Sequence, residues 1–262
     1  MKGNPVNRSY AGQLKLIMKN RVLLLFAVGL VVALNARAAT PDYVPMKVIQ
    51  TDEVIYPRRA TDLGITRGEV HVAVQVDEKG KLTDYLVTAY THKLLADAAV
   101  QALKRWEYEP AWVNGQPRGA TVDLTFTFEN RGLVVVDLTV SSYVQMRDIQ
   151  LRPNAYDYHA RSLRQLDRIP TPTKVVQPSV APDVAQKQTE PVQVTVFFYI
   201  DEHGRVRLPA VNRQDSQASD AFAAAAVNAV SQWEFEPPLS HGTPVLVSAR
   251  QDIKFKAGTV KP

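Results

Sequence analysis

Two blocks of this sequence occur twice, and that duplication limits the fold more than any other feature. Val76-Asp77-Glu78-Lys79-Gly80-Lys81-Leu82 matches Ile200-Asp201-Glu202-His203-Gly204-Arg205-Val206 at an offset of 124 residues. Trp106-Glu107-Tyr108-Glu109-Pro110 matches Trp233-Glu234-Phe235-Glu236-Pro237, and Gly115-Gln116-Pro117 matches Gly242-Thr243-Pro244, both at 127. Upstream, Ile55-Tyr56-Pro57 and Arg58-Arg59-Ala60 fall opposite Val180-Ala181-Pro182 and Asp183-Val184-Ala185 at 125. Offsets that drift so little are loop insertions in a duplicated unit. Any fold proposed for one copy must therefore serve the other.

Each copy reads in the same order. Val70, Val72, Val74 and Val76 alternate with Glu69, His71, Ala73 and Gln75, the pattern of a half-buried strand. Asp77 to Gly80 turns the chain, and a second strand runs from about Leu82 to Ala89. Leu94, Leu95, Ala98, Ala99, Ala102, Leu103 and Trp106 then recur at helical spacing, with Thr91 as the expected cap and Pro110 as the stop. After the Asn114-Gly115 turn, Val122, Leu124, Phe126 and Phe128 alternate with Thr121, Asp123, Thr125 and Thr127 as a third strand. The expected unit is β-β-α-β, a three-stranded antiparallel sheet with one helix packed on it, and the fold class is α+β. The second copy repeats it with Val194, Val196, Phe198 and Ile200, then a helix striped by Phe222, Ala225, Ala226, Ala229, Val230 and Trp233. Its last strand runs from about Val245 to Phe255. Between the copies, Leu133 to Val140 reads as a further strand and Tyr156 to Leu166 as a short helix, while residues 141–155 carry no readable pattern.

Charge places the chain's basicity in its first residues. Residues 1–38 hold six Lys and Arg and no acid; without them 25 basic face 26 acidic residues, which removes the case for nucleic acid. Lys19 and Arg21 precede an apolar run, Val22 to Leu34, and Ala36-Arg37-Ala38 supplies small residues. The run is shorter than a bilayer span, so 1–38 reads as a cleaved export signal, with an uncleaved inner-membrane anchor as the alternative. That reading places the mature chain in the periplasm. No cysteine is present, which excludes disulfides, thiol nucleophiles and Cys-bound metal. The five His have no chelating spacing, and His71, between Glu69 and Gln75, reads as a surface residue. Ser141-Ser142 and Ser162 lack a nucleophile-elbow context, and Asp77-Glu78 and Asp201-Glu202 belong to hairpin turns. The expectation is a non-enzyme with no cofactor, no metal and no small-molecule substrate.

Tyr56-Pro57, Gly68-Glu69-Val70-His71-Val72, Val76-Asp77-Glu78-Lys79-Gly80, Arg105-Trp106-Glu107-Tyr108-Glu109-Pro110, Asn114-Gly115 and Phe126-Thr127-Phe128, in that order, resemble the TonB C-terminal domain. The expected layout is a signal at 1–38, a first domain at 40–130, a connecting segment at 131–165 and a degenerate second domain at 166–257. The second copy departs from the pattern: Ala181 replaces the tyrosine, Ser231 and Gln232 replace the basic pair, and Gln251 stands at the inward position of Leu124. The resemblance implies a periplasmic energy transducer that pairs with a short segment of an outer-membrane transporter by strand addition. By that analogy the partner meets the third strand, through Thr121, Asp123, Thr125 and Thr127. Glu53, Tyr56 and Pro57 lie beside it, in or just after the Gln50–Ile55 segment. The bland reading of that strand is an edge covered by residues 133–140 or by the other copy; that of Tyr56-Pro57 is packing at the sheet entrance. Outward-facing Phe197 and Tyr199 suggest a surface covered by contact between the units. The rival function is an envelope adaptor whose tandem units pack together or dimerise and transmit no force.

Overall fold

The computed structural model describes residues 43–129, 133–139, 152–211 and 219–256; the leader and most of 141–155 lie outside them. In the first unit, β1 (Arg67–Val76) buries Val70, Val72, Val74 and Val76 completely. Asp77 makes the turn that follows. Its Oδ1 accepts the backbone N–H of Lys79 and of Lys81, each at 2.9 Å. Gly80 adopts φ +79°, and a Cβ there would run into the Tyr108 carbonyl oxygen. The second copy repeats the device: Asp201 accepts from His203 and Arg205, and Gly204 sits at φ +81° against Phe235. The repeated Asp-x-x-Gly is thus backbone chemistry, as its turn context suggested.

β2 (Leu82–Tyr90) returns antiparallel to β1, and α1 (Lys93–Leu103) packs Leu95, Ala99, Ala102 and Leu103 onto the valines. The cap differs from expectation. His92, not Thr91, accepts the Leu94 N–H at 3.2 Å, while Thr91 Oγ1 accepts the Glu69 N–H at 3.0 Å. β3 (Ala120–Glu129) then pairs with β1 along its whole length. The sheet does not stop at three strands. β4 (Leu133–Thr139) turns back along β3, and β5 (Tyr158–His159) pairs with the end of β2, giving the order β5-β2-β1-β3-β4.

The expected helix over Tyr156–Leu166 is a correction. The chain there is extended, because two sheets claim its backbone. Ala160 N–H donates to the Thr88 carbonyl at 2.7 Å, and Arg161 N–H to the Leu246 carbonyl at 2.8 Å. Only Leu163–Gln165 forms a 3-10 turn. β5 therefore belongs to the first sheet, and β6 (Arg161–Ser162) joins the second, parallel to its last strand. The second unit follows with β7 (Val192–Ile200), β8 (Val206–Val211), α2 (Asp220–Val230) and β9 (Val247–Phe255), in the sheet order β6-β9-β7-β8.

The sheet faces that the helices leave bare meet each other. Ala73 of β1, Ala160, Tyr199 of β7, Leu208 of β8 and Leu246 form a separate buried cluster. Tyr199 is 5% exposed, so the aromatic face does mark the contact between the units; Phe197 is only half-buried. Polar bonds fix the register. Arg207 Nε and Nη2 donate to Asp84 at 3.0 and 2.6 Å, and Nη2 also reaches the Tyr85 carbonyl. The Asp84 carboxylate holds the guanidinium charged even beyond its ordinary range. Tyr158 stacks on Tyr90 at 5.3 Å and donates to Glu202 at 3.3 Å, which ties the connecting strand to both units.

His71 is a second correction. It is 5% exposed, with Nε2 3.1 Å from Tyr156 Oη and Nδ1 3.3 Å from Thr125 Oγ1. Tyr156 also donates to Glu69 at 2.6 Å. The polar face looked solvated in sequence because the residue that covers it lies 85 positions away.

Two predictions follow from this interface. Arg207→Ala should cost about 1–2 kcal/mol, discounted because both side chains are nearly a third exposed. A double-mutant cycle with Asp84→Ala, read by urea denaturation, should recover about 1 kcal/mol of coupling. The second concerns His159, which is 7% exposed with Nδ1 3.0 Å from the Ala160 carbonyl and Nε2 2.9 Å from Arg161 Nη1. Burial, outweighing the Ala160 carbonyl that acts the other way, holds its imidazole below the ordinary value, with the Arg161 charge helping. The folded state thus resists a proton that the unfolded chain accepts. His159 contributes its stability above the unfolded value near 6.5 and loses it as pH falls below that. Thermal melts between about pH 7 and about pH 5.5 should show a shallower decline for His159→Gln than for the parent chain.

Candidate partner-binding edges

Two short β-bridged segments frame the first unit's entrance. Lys47–Gln50 pairs with Glu107–Glu109, and Trp106 Nε1 donates to the Asp52 carbonyl at 3.1 Å. In the second unit Trp233 Nε1 donates to the Val176 carbonyl at 2.8 Å. Each tryptophan therefore fastens the strand entry to the helix exit, in addition to packing. Burial pushes the neighbouring Tyr108 hydroxyl up to about 12, consistent with its donating to the Leu103 carbonyl at 2.8 Å.

Tyr56 and Pro57 pack at the sheet entrance. Tyr56 Oη donates to the Ile65 carbonyl at 2.6 Å, and its ring meets Phe128 edge-on at 6.2 Å. Burial raises its hydroxyl above the ordinary value. Pro57 caps the short helix Arg58–Asp62. Both brace the sheet entrance, while Glu53 beside them is exposed.

The third strand of the first unit is not an open edge. β4 pairs with β3 from Asp123↔Thr139 to Glu129↔Leu133, so the covering strand anticipated over 133–140 is what the fold presents. Val134 and Val136 of β4 extend the core over Phe128 and Phe126. Of the four residues expected to meet a partner, Asp123 is 1% exposed and Thr125 bonds His71. Thr121 and Thr127 are half-buried. None of the four is an exposed side chain, because the second unit packs on the face that they occupy.

The equivalent strand of the second unit is different. β9 pairs with β7 throughout, but on its other side only Val247 and Ser248 have a partner, in β6. From Ala249 to Phe255 no described strand lies alongside. Its backbone groups on that side face outward. Arg250, Gln251, Asp252 and Lys254 are exposed, and Thr195 Oγ1 donates to Asp252 at 2.7 Å. Gln251 is the signal that sequence reasoning misread. An amide stands where the first unit has Leu124 because no described strand pairs beside that position, whereas Leu124 is paired with Leu138 of β4.

β8, the opposite rim of that sheet, is blunted. Leu208 takes φ +51°, Pro209 follows it, and the register against β7 shifts there. The second unit thus offers one regular edge.

The sequence model of the family described as Gram-negative bacterial TonB protein C-terminal matches residues 52–129 and again residues 180–257. The chain belongs to the TonB C-terminal family. It carries two of these domains in tandem, and the family's domains are protein-interaction modules rather than enzymes. No curated protein matches the chain. Among the described residues no helix is long and apolar enough to cross a membrane.

Amide hydrogen exchange should separate the two TonB C-terminal third strands. Along Asp123–Glu129 both sides are paired, so every amide should be protected; along Ala249–Phe255 protection should alternate, with every second amide exchanging as an open edge does.

Proposed function

We propose that the chain is a non-enzymatic periplasmic binding protein associated with TonB-dependent transport, and that it receives a partner segment by strand addition. Family membership supports the interaction role. The observation that carries the mechanism is the outer side of Ala249–Phe255 in β9, which no described strand occupies and which continues the domain's third strand. Engagement at Thr121–Thr127 in the first unit, the position that the resemblance implied, requires β4 to leave. The second unit needs no rearrangement. Tyr56 and Pro57 then act on the first unit's entrance, and Glu53 stands exposed beside them.

The occupied β3 edge favours the adaptor reading for the first unit, which serves as the rigid body that presents the second. Export by the leader at 1–38 belongs to the same proposal, as does an outer-membrane transporter or TonB-system component as the partner.

The absence of cysteine makes the test clean, since any introduced thiol is unique. Arg250→Cys on β9 and Val135→Cys on β4 are both at exposed positions and can carry a benzophenone maleimide in isolated envelopes. The expected adduct is the periplasmic segment of an outer-membrane transporter, formed from Arg250→Cys and not from Val135→Cys. Transporter adducts from Val135→Cys alone would move the site to the first unit. Self-adducts alone would leave the adaptor function.

A further inference from the structure

Each unit has a groove between its β-hairpin turn and the C-terminal end of its helix, and the two grooves have opposite charge economies. In the second unit the groove, about 370 Å³, is lined by Lys174, Arg205 and Arg207. Every one of these cations is already paired: Lys174 with Glu234 at 2.9 Å, Arg205 with Asp201 at 3.2 Å and Arg207 with Asp84 at 2.6 Å. In the first unit the groove is larger, about 660 Å³, and is lined by Lys79, Lys81 and Lys104. No carboxylate among the described residues is ion-paired with any of the three. Asp77 spends its Oδ1 on the backbone N–H groups of Lys79 and Lys81, and Asp84 is taken by Arg207. Glu107, the remaining acid on the wall, faces three lysines.

The same groove has an apolar floor. Tyr85 and Trp106 line it, Lys104 Nζ lies 4.9 Å from the centroid of the Tyr85 ring, and Ile49 at the rim is 59% exposed. A small molecule is ordinarily enclosed over most of its surface, and this groove is a trough along the surface. Flexible ammonium groups around an aromatic floor suit carboxylates spaced along a chain with an apolar residue among them. The chain's own segments outside the described residues do not supply this. Residues 1–38 have six cations and no acid, residues 257–262 carry Lys261 and no acid, and residues 39–42, 140–151 and 212–218 hold one acid each, Asp42, Asp148 and Asp215, too few for carboxylates spaced along a segment.

We infer that the first unit's groove, formed by Lys79, Lys81, Lys104, Tyr85, Trp106 and Ile49, is a docking site for an acidic linear segment of another protein. The carboxylates of that segment meet the lysines while an apolar side chain covers Ile49 and the Trp106 edge. The site lies on the other side of the sheet order from β4 and is independent of strand addition at β9, so either can fail without the other. It also gives the first unit, whose third strand is covered, a binding surface of its own.

The test uses the full mature chain and a fluorescein-labelled decapeptide that alternates glutamate with threonine around one central leucine. Fluorescence anisotropy should show saturable binding that weakens with added salt. Lys79→Gln/Lys81→Gln/Lys104→Gln should bind about tenfold more weakly, given three rim charges of modest worth each. Its melting curve checks that it remains folded. Lys174→Gln/Arg205→Gln, in the second groove, should bind as the parent does. Equal affinity of the triple variant and the parent would place binding elsewhere and overturn the site. Equal affinity for the glutamine version of the peptide would overturn the charge argument. Binding of inorganic polyphosphate with none of the peptide would show that the groove takes a different anion, and the protein-segment assignment would fall.

Discussion

Every backbone N–H and C=O at the rim of a sheet must find a partner or face water, and this requirement organises the whole chain. A β-β-α-β unit has two rims, so a tandem pair has four. Each is treated differently here. β4 covers β3, β5 takes the end of β2 while Arg207 claims the Tyr85 carbonyl, and β8 is bent away by Leu208 and Pro209. Of the two third strands, β9 alone has a regular run with no neighbour among the described strands; in the first sheet β4 is the outer strand instead. The connecting segment earns its place by splitting its pairing, two residues to each sheet, which joins two independently patterned cores into one body.

That pairing changes the meaning of degeneracy. By motif the second domain is the weaker copy, having lost the Tyr-Pro pair and the basic residues before its tryptophan. Those positions, however, brace the entrance or line the groove, and neither forms the edge. Tyr56 bonds Ile65 and packs on Phe128, work that a second unit packed differently at its entrance can do without. The better-matched domain is the one whose edge is filled, and the worse-matched domain is the one whose edge is free. Similarity to the family pattern and availability for partners have separated.

Local periodicity revealed what is local. The alternating strands, the helical stripes, the Asp-x-x-Gly turns and the strand over 133–139 are all encoded within a few residues of themselves, and the structure keeps them. What sequence could not show is what lies across a face. His71 and Asp123 look polar and exposed because they alternate with valines and leucines, yet Tyr156 covers one and the second unit packs over the other. Tyr156–Leu166 has helical spacing, but two sheets hold its backbone extended. The cover over the expected site is hidden for the same reason: Thr121, Asp123, Thr125 and Thr127 lie on the expected third strand, and that strand's neighbours are set by segments outside the motif. Gln251 was the one local clue. A polar residue at an inward position reports missing cover, where the sequence alone suggested only a degenerate copy.

Leaving one regular edge open carries a hazard, since two free complementary edges on one chain would let copies add to one another without limit. The tandem arrangement lowers that hazard. β4, the outer strand of the first sheet, carries Asp137 in its middle, and β9 carries Arg250, Asp252 and Lys254 on its exposed positions. Charges on an edge penalise indiscriminate pairing while still admitting a strand that answers them. The inter-unit contact through Arg207, Asp84 and Tyr199 further fixes β9 relative to the first unit, so a segment added there enters a preset orientation. A lone domain of this type must choose between a sealed edge and a sticky one. Duplication lets one copy cover its third strand with a further strand while the other leaves its own uncovered by any described strand.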